Sequence, residues 1–153
     1  MKTDRYQKLP KIEGDDAKDT ALLRRMATDA QAYLESFKWC PPISTTYLAS
    51  GVGGIAAIFL FEFSRPIRDT DERLWVIVGD LPSAYLVVAI DDSPADAMER
   101  YCGLMEDWIA GVRDGTGLQD VFPVTADPTL ESALLLEKRI AFLLAEIIPR
   151  MLK

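Results

Sequence analysis

The chain has 153 residues, 24 of them acidic and 17 basic for a formal net charge of −7, and 49% are hydrophobic. Such a length and apolar content suit one domain around one core. The acidic balance repels nucleic-acid phosphates and anionic membranes, so a charge-driven partner is basic. Histidine is absent, which excludes the Ser-His-Asp triad, the Cys-His dyad and the usual zinc ligation, so no metal or cofactor is expected. Cys40 and Cys102 have no C-x-x-C spacing and are read as reduced thiols. No apolar run approaches the roughly 18 residues of a membrane span. Met1-Lys2-Thr3-Asp4-Arg5 leads into no signal-peptide core, which gives a cytoplasmic expectation.

Residues 1–13 are charged and lack apolar periodicity, and are expected as a mobile N-terminal arm before one domain over 14–153. From Asp16 to Phe37, Leu22, Leu23, Met26, Ala30, Tyr33, Leu34 and Phe37 recur at helical spacing. Asp15 or Asp16 caps that first helix, and Pro41-Pro42 cannot continue it. Ser44 to Ser50 and Gly54 to Ser64 read as strands around Gly51-Val52-Gly53-Gly54. A phosphate loop would need a helix next, whereas β-favouring Ile55, Ile58, Phe59 and Phe61 follow, so the glycines are a hairpin turn.

After a charged connection containing Pro66, Leu74 to Ile90 forms a second hairpin about Gly79-Asp80-Leu81-Pro82-Ser83. Its arms are apolar without alternation, so they are expected at the centre of the sheet, covered on both faces by helices or a second subunit. Ser93-Pro94-Ala95-Asp96 gives an N-cap, a first-turn proline and an acid three residues on. Met98, Tyr101, Met105, Trp108, Ile109 and Val112 form one face of this second helix, which Gly115 and Gly117 end. A third helix is expected from Asp127-Pro128 to about Arg150. The fold class is therefore α+β, a four-stranded antiparallel sheet with three helices in the order α-β-β-β-β-α-α.

The succession W-x-I-V-G-D-L-P-x-A-Y-L over residues 75–86, then Pro94-Ala95-Asp96-Ala97-Met98, Tyr101, Met105-Glu106-x-Trp108-Ile109, Phe122-Pro123-Val124 and Lys138-Arg139-Ile140-x-Phe142-Leu143 resembles a family of small acidic bacterial proteins of unknown function. The resemblance spans about half the chain and implies one intact bacterial domain. It carries no catalytic residues with it.

Candidate residues for chemistry are carboxylates. Asp91 and Asp92 precede the second helix, where paired acids serve as acid and base or hold a cation, or else simply favour the helix N-terminus. Asp80 sits in the hairpin turn and also suits an Asx bond. Glu137 projects between Ala133, Ala141, Leu144 and Ile148, on the face with Leu130 and Ile140, where it needs a partner, a raised pKa or a rim position. Leu135 and Phe142 stand among charged residues on the outer side of the third helix, which suggests contact with a second copy, joined by Leu81, Phe122 or Val124. Asp96, Glu99, Glu106 and Asp107 make an acidic outer face on the second helix, either solvated or a docking surface for a basic protein. Tyr33, Trp39, Trp75, Tyr85, Tyr101 and Trp108 are read as core.

The reading is a non-catalytic acidic protein-binding module in the manner of an immunity protein, inhibitor or small chaperone. Its alternatives are a carboxylate-dependent hydrolase or metal-dependent enzyme, and a small-molecule binder with a pocket between sheet and helices.

Overall fold

Ala56 to Phe61 contains no polar side chain, and a strand of that kind is stable only where both its faces are dry. The computed structural model describes residues 3–67 and 72–151 and places that stretch in the middle strand of an antiparallel sheet. The strands are β1 (Gln7–Lys8), β2 (Ile43–Val52), β3 (Ala56–Phe63), β4 (Arg73–Gly79) and β5 (Ala84–Val87), and they lie in sequence order. The sheet is an α+β meander as expected, with five strands rather than four. The hairpin of β4 and β5 is not central: β5 is the short edge strand, and β3 holds the middle. Part of the charged connection before β4 lies outside the described residues.

Register explains the two-sided burial. Leu48, Phe59, Val76 and Tyr85 form one row across the sheet, and Tyr47, Leu60, Trp75 and Leu86 form the neighbouring row on the opposite face. The first face receives helix α1 (Ala17–Glu35), whose Leu23, Met26, Ala27, Ala30 and Leu34 join Phe59, Phe61, Leu74 and Val76 in one cluster. Burial of each of the Leu, Met, Phe and Val side chains among them is worth roughly 1.5–3 kcal/mol. Leu60, Trp75 and Ile77 of the second face are buried completely within a single chain. Burial of the sheet therefore needs no second subunit.

Polar groups fix the approach of α1. Asp16 caps the helix by accepting from the Asp19 N–H, at 2.8 Å. The Asp19 carboxylate accepts from the Asp15 N–H at 2.9 Å and from the Gly53 N–H at 2.7 Å, tying the helix start to the β2–β3 turn. In that turn the Ile55 N–H donates to the Val52 carbonyl, and Gly54 carries a φ of 79°. Hydrogen bonds also organise the segment expected as an arm. Gln7 and Lys8 pair with Leu48 and Tyr47, the Gln7 amide exchanges bonds with both backbone groups of Glu13, and Arg24 donates to the carbonyl of fully buried Ile12.

The chain falls into two compact units, residues 1–94 and 95–153. The second holds α2 (Pro94–Asp114), starting directly after Ser93, and α3 (Leu130–Phe142). Gly115, at a φ of 66°, closes α2 in the left-handed conformation that glycine tolerates. The α3 helix begins two residues later than Asp127-Pro128 suggests, because the Thr129 hydroxyl accepts from the Ser132 N–H and serves as the cap. It also ends sooner. Pro149 offers no N–H, and its ring would strike the carbonyl four residues back. Leu143–Ile147 widen into a π turn, in which the Ile148 N–H donates to the Leu143 carbonyl, and a 3-10 turn follows over Ile148–Arg150. Among the described residues no helix is long and apolar enough to cross a membrane.

Two glycines should respond in opposite directions to alanine. At Gly79, where φ is 149°, a Cβ would collide with the Ile55 carbonyl oxygen, the same oxygen that accepts from the Asp80 N–H. Gly79→Ala is expected to lower stability by at least ~2 kcal/mol. Gly103 lies within α2 with nothing within 4 Å of its would-be Cβ, so Gly103→Ala should raise stability by ~0.5–1 kcal/mol. Urea-unfolding midpoints of the two variants against wild type check both signs.

Candidate functional site

Of the carboxylates singled out from sequence in the unit of residues 1–94, Asp92 has a structural role. Asp92 turns one oxygen, Oδ2, to the indole N–H of Trp75 at 2.8 Å and to the Ala89 N–H at 3.0 Å. A fully buried indole must place its N–H somewhere, and Asp92 accepts it. Tyr6 covers the same ring edge-on, with centroids 6.2 Å apart. Burial raises the pKa of the Tyr6 phenol, an effect opposed by Arg5 and assisted by Asp92. Asp91 is exposed and occupies the left-handed region at a φ of 54°, which aspartate tolerates in turns. Asp80 is exposed at the end of β4, where its N–H donates to the Ile55 carbonyl at 2.9 Å. Among the described residues no group of three or more His, Cys, Asp or Glu side chains could hold a metal ion.

The aromatic residues divide. Trp75, Tyr101 and Trp108 are buried as expected, but Trp39 is exposed and Tyr33 and Tyr85 are half-buried. With Phe37 they form a cluster between the end of α1 and edge strand β5, where Trp39 stacks on Phe37 at 5.3 Å and meets Tyr85 edge-on at 5.0 Å. Burial first, and Tyr85 second, push the Tyr33 phenol up to about 12. Both cysteines are free. Desolvation, with Glu106 and Glu99 adding to it, pushes the Cys102 thiol up to about 12, so at neutral pH it is a protonated core group rather than a nucleophile.

The unit of residues 95–153 contains a groove of about 400 Å³ between α2 and α3. From α2 come Glu106, Ile109, Ala110, Arg113 and Asp114; from α3 and its π turn come Glu137, Ile140, Ala141 and Leu144. Both sets recur at three- and four-residue steps, so each lines the groove with one helix face. Ile109 and Ile140 are buried at its floor, while Ala110, Ala141 and Leu144 are exposed. Glu137 bonds to Arg113 Nη1 at 2.6 Å. The sequence projection placed Glu137 on the face of Ala133, Ala141, Leu144 and Ile148, with a rim position among its outcomes, and the packed face is turned by roughly a fifth of a circle, toward Ala133, Leu136, Ile140 and Leu143. Glu137 is thereby left on the rim, half exposed. An ion pair so exposed contributes little stability; what it supplies is charge beside an apolar floor.

Only one member of the expected acidic face, Glu106, lines this groove. Asp96, Glu99 and Asp107 are exposed elsewhere on α2. Leu135 and Phe142 are exposed on α3, away from the groove lining. Arg113, the partner of Glu137, went unrecognised in the sequence, since nothing local to residue 113 marks a bond to a residue 24 positions on. No protein-family model, curated protein or solved structure matches the chain.

The structural reading of Asp92 has a measurable consequence. Asp92→Ala strands the Trp75 N–H and should lower stability by ~1–3 kcal/mol, whereas Asp92→Asn keeps an acceptor oxygen and should lose less than half of that. Tryptophan fluorescence followed through urea unfolding compares the two; equal losses would assign the effect to charge instead.

Proposed function

We propose that this protein is a non-catalytic acidic module that recognises a basic protein, comparable in manner to an immunity protein, inhibitor or small chaperone. One observation carries the reading: the α2–α3 groove combines an apolar floor with a rim of three carboxylates, Glu106, Asp114 and Glu137, against one guanidinium, Arg113. Three negative charges and one positive leave the rim at −2, in keeping with the −7 of the whole chain. Apolar contact then supplies affinity, and the rim selects cationic partners and speeds their encounter. The carboxylates suggested for an enzyme give that alternative less support. Asp92 is occupied by Trp75 and Glu137 by Arg113, so neither stands ready as a general base.

Self-association is a second reading, favoured by Leu135 and Phe142, which are 48% and 44% exposed. These residues now carry it alone, because both faces of the sheet are buried within one chain. A specific interface needs roughly 800 Å² from each partner, so half-buried Phe122 and Val124 would have to join them.

Each reading has its own measurement. Tagged wild-type protein should capture a basic protein from lysate at ~0.05 M salt and release it at ~0.5 M, and the Glu106→Lys, Asp114→Lys variant should capture none. Capture indifferent to those two residues, or of acidic proteins, would overturn the groove as the recognition surface. For the dimer, light scattering after size exclusion should give twice the chain mass for wild type and a lower mass for Leu135→Glu, Phe142→Glu with native circular dichroism; a wild-type monomer at high micromolar concentration removes it.

A further inference from the structure

Resting on the protein-binding reading above, we infer that the segment received by the α2–α3 groove is an amphipathic helix of the partner, with lysine or arginine flanking its apolar stripe. The lining runs from Glu106 to Asp114 along α2, about 12 Å at 1.5 Å per residue, or the length of two helical turns. Two facing helix surfaces of about that length, each with three- and four-residue steps, leave a trough that suits a third helix. Alanines stand at the middle of both walls, Ala110 and Ala141, and their small side chains let another backbone approach closely. The α3 wall also continues beyond the groove. Leu130, Leu134, Ala141 and Leu144 share one side of the helix, with Leu130 57% and Leu144 42% exposed, so an occupant longer than two turns would still meet apolar surface.

Charge and topology select among occupants. A second copy would set a −2 rim against its own likeness and is disfavoured there. An extended peptide adds to a sheet edge, and among the described residues the unit of 95–153 contains no strand. A cationic helix meets neither objection. Among the described residues no ion pair engages Glu106 or Asp114, so both carboxylates can accept from incoming ammonium or guanidinium groups. Glu137 is already answered by Arg113, which makes Arg113 a competitor for the cations of the partner.

Selection from a displayed library of random 16-residue peptides against the full chain tests the occupant. Enriched sequences should place Leu, Ile, Phe or Met at i, i+3 or i+4 and i+7, with Lys or Arg on either side, and the synthesised peptide should gain helical circular dichroism on binding. By fluorescence anisotropy, Ala141→Trp, which fills the trough from an exposed position, should weaken that peptide by about 10-fold or more, as should Leu144→Glu. Leu135→Glu, outside the lining, should leave affinity unchanged. Arg113→Ala should tighten binding by about 2- to 5-fold, the range of one exposed ion pair, an effect that mere loss of packing would not produce. Enrichment of acidic or proline-rich extended sequences, binding indifferent to Ala141→Trp and Leu144→Glu, or no enrichment at all would overturn the cationic helix. Salt-sensitive capture from lysate that survives any of those results would keep the protein-binding reading and remove only this occupant.

Discussion

Two-sided burial of β3 is the constraint on which the architecture depends. Ala56, Ala57, Ile58, Phe59, Leu60 and Phe61 are all buried, and alternate members of that run point to opposite faces of the sheet. Phe59 and Phe61 require the α1 side to be covered, while Ile58 and Leu60 require the same of the other side. A strand with such demands cannot lie at an edge. It takes the middle, and β2 and β4 flank it through long, nearly continuous registers. The edge positions are left to β1 and β5, of two and four residues, and short edge strands limit unwanted pairing with other chains.

Around that strand a few polar contacts decide where neighbouring elements dock, since hydrophobic burial has little direction of its own. Asp19 is the most economical of them. Its two oxygens hold the start of α1 and the β2–β3 turn together, and a side chain on Gly53 would meet both Asp19 and Leu22. Gln7 performs a similar service for the first residues of the chain through its paired bonds to Glu13. Among the described residues, no buried side-chain polar atom lacks a hydrogen-bond partner. The polar residues inside this protein therefore steer packing without an uncompensated desolvation penalty.

Local signals in the sequence located most elements, because each is set by nearby residues. Asp16 caps α1, Pro94 opens α2, Gly115 closes it and Gly54 turns the first hairpin, all through contacts within a few positions. Which strand is central was less legible. The hairpin of β4 and β5 read as the centre of the sheet, since apolar character shows that a strand is buried but not which neighbours bury it. The two-residue β1 was invisible, its only signature being the register of Gln7 and Lys8 against β2. At the candidate site, the exposure of Leu135 and Phe142 followed from their charged neighbours, and helical projection singled out Glu137, with a partner, a raised pKa or a rim position left open. Arg113 was missed because helical periodicity places a residue on its own helix and says nothing of the facing one.

The end of α3 shows how backbone chemistry shapes the groove wall. An uninterrupted α-helix from Leu143 would return Ile147 to the side of Leu143 after one turn. The π turn inserts one more residue, so Ile148 returns there instead: Leu143 and Ile148 are buried, and Ile147 is half-buried. Leu144, the first residue after that buried position, is thereby held outward at the groove, at a point where the backbone has already departed from α geometry. The main chain of the π turn thus carries Leu144, the last residue in chain order that lines the groove.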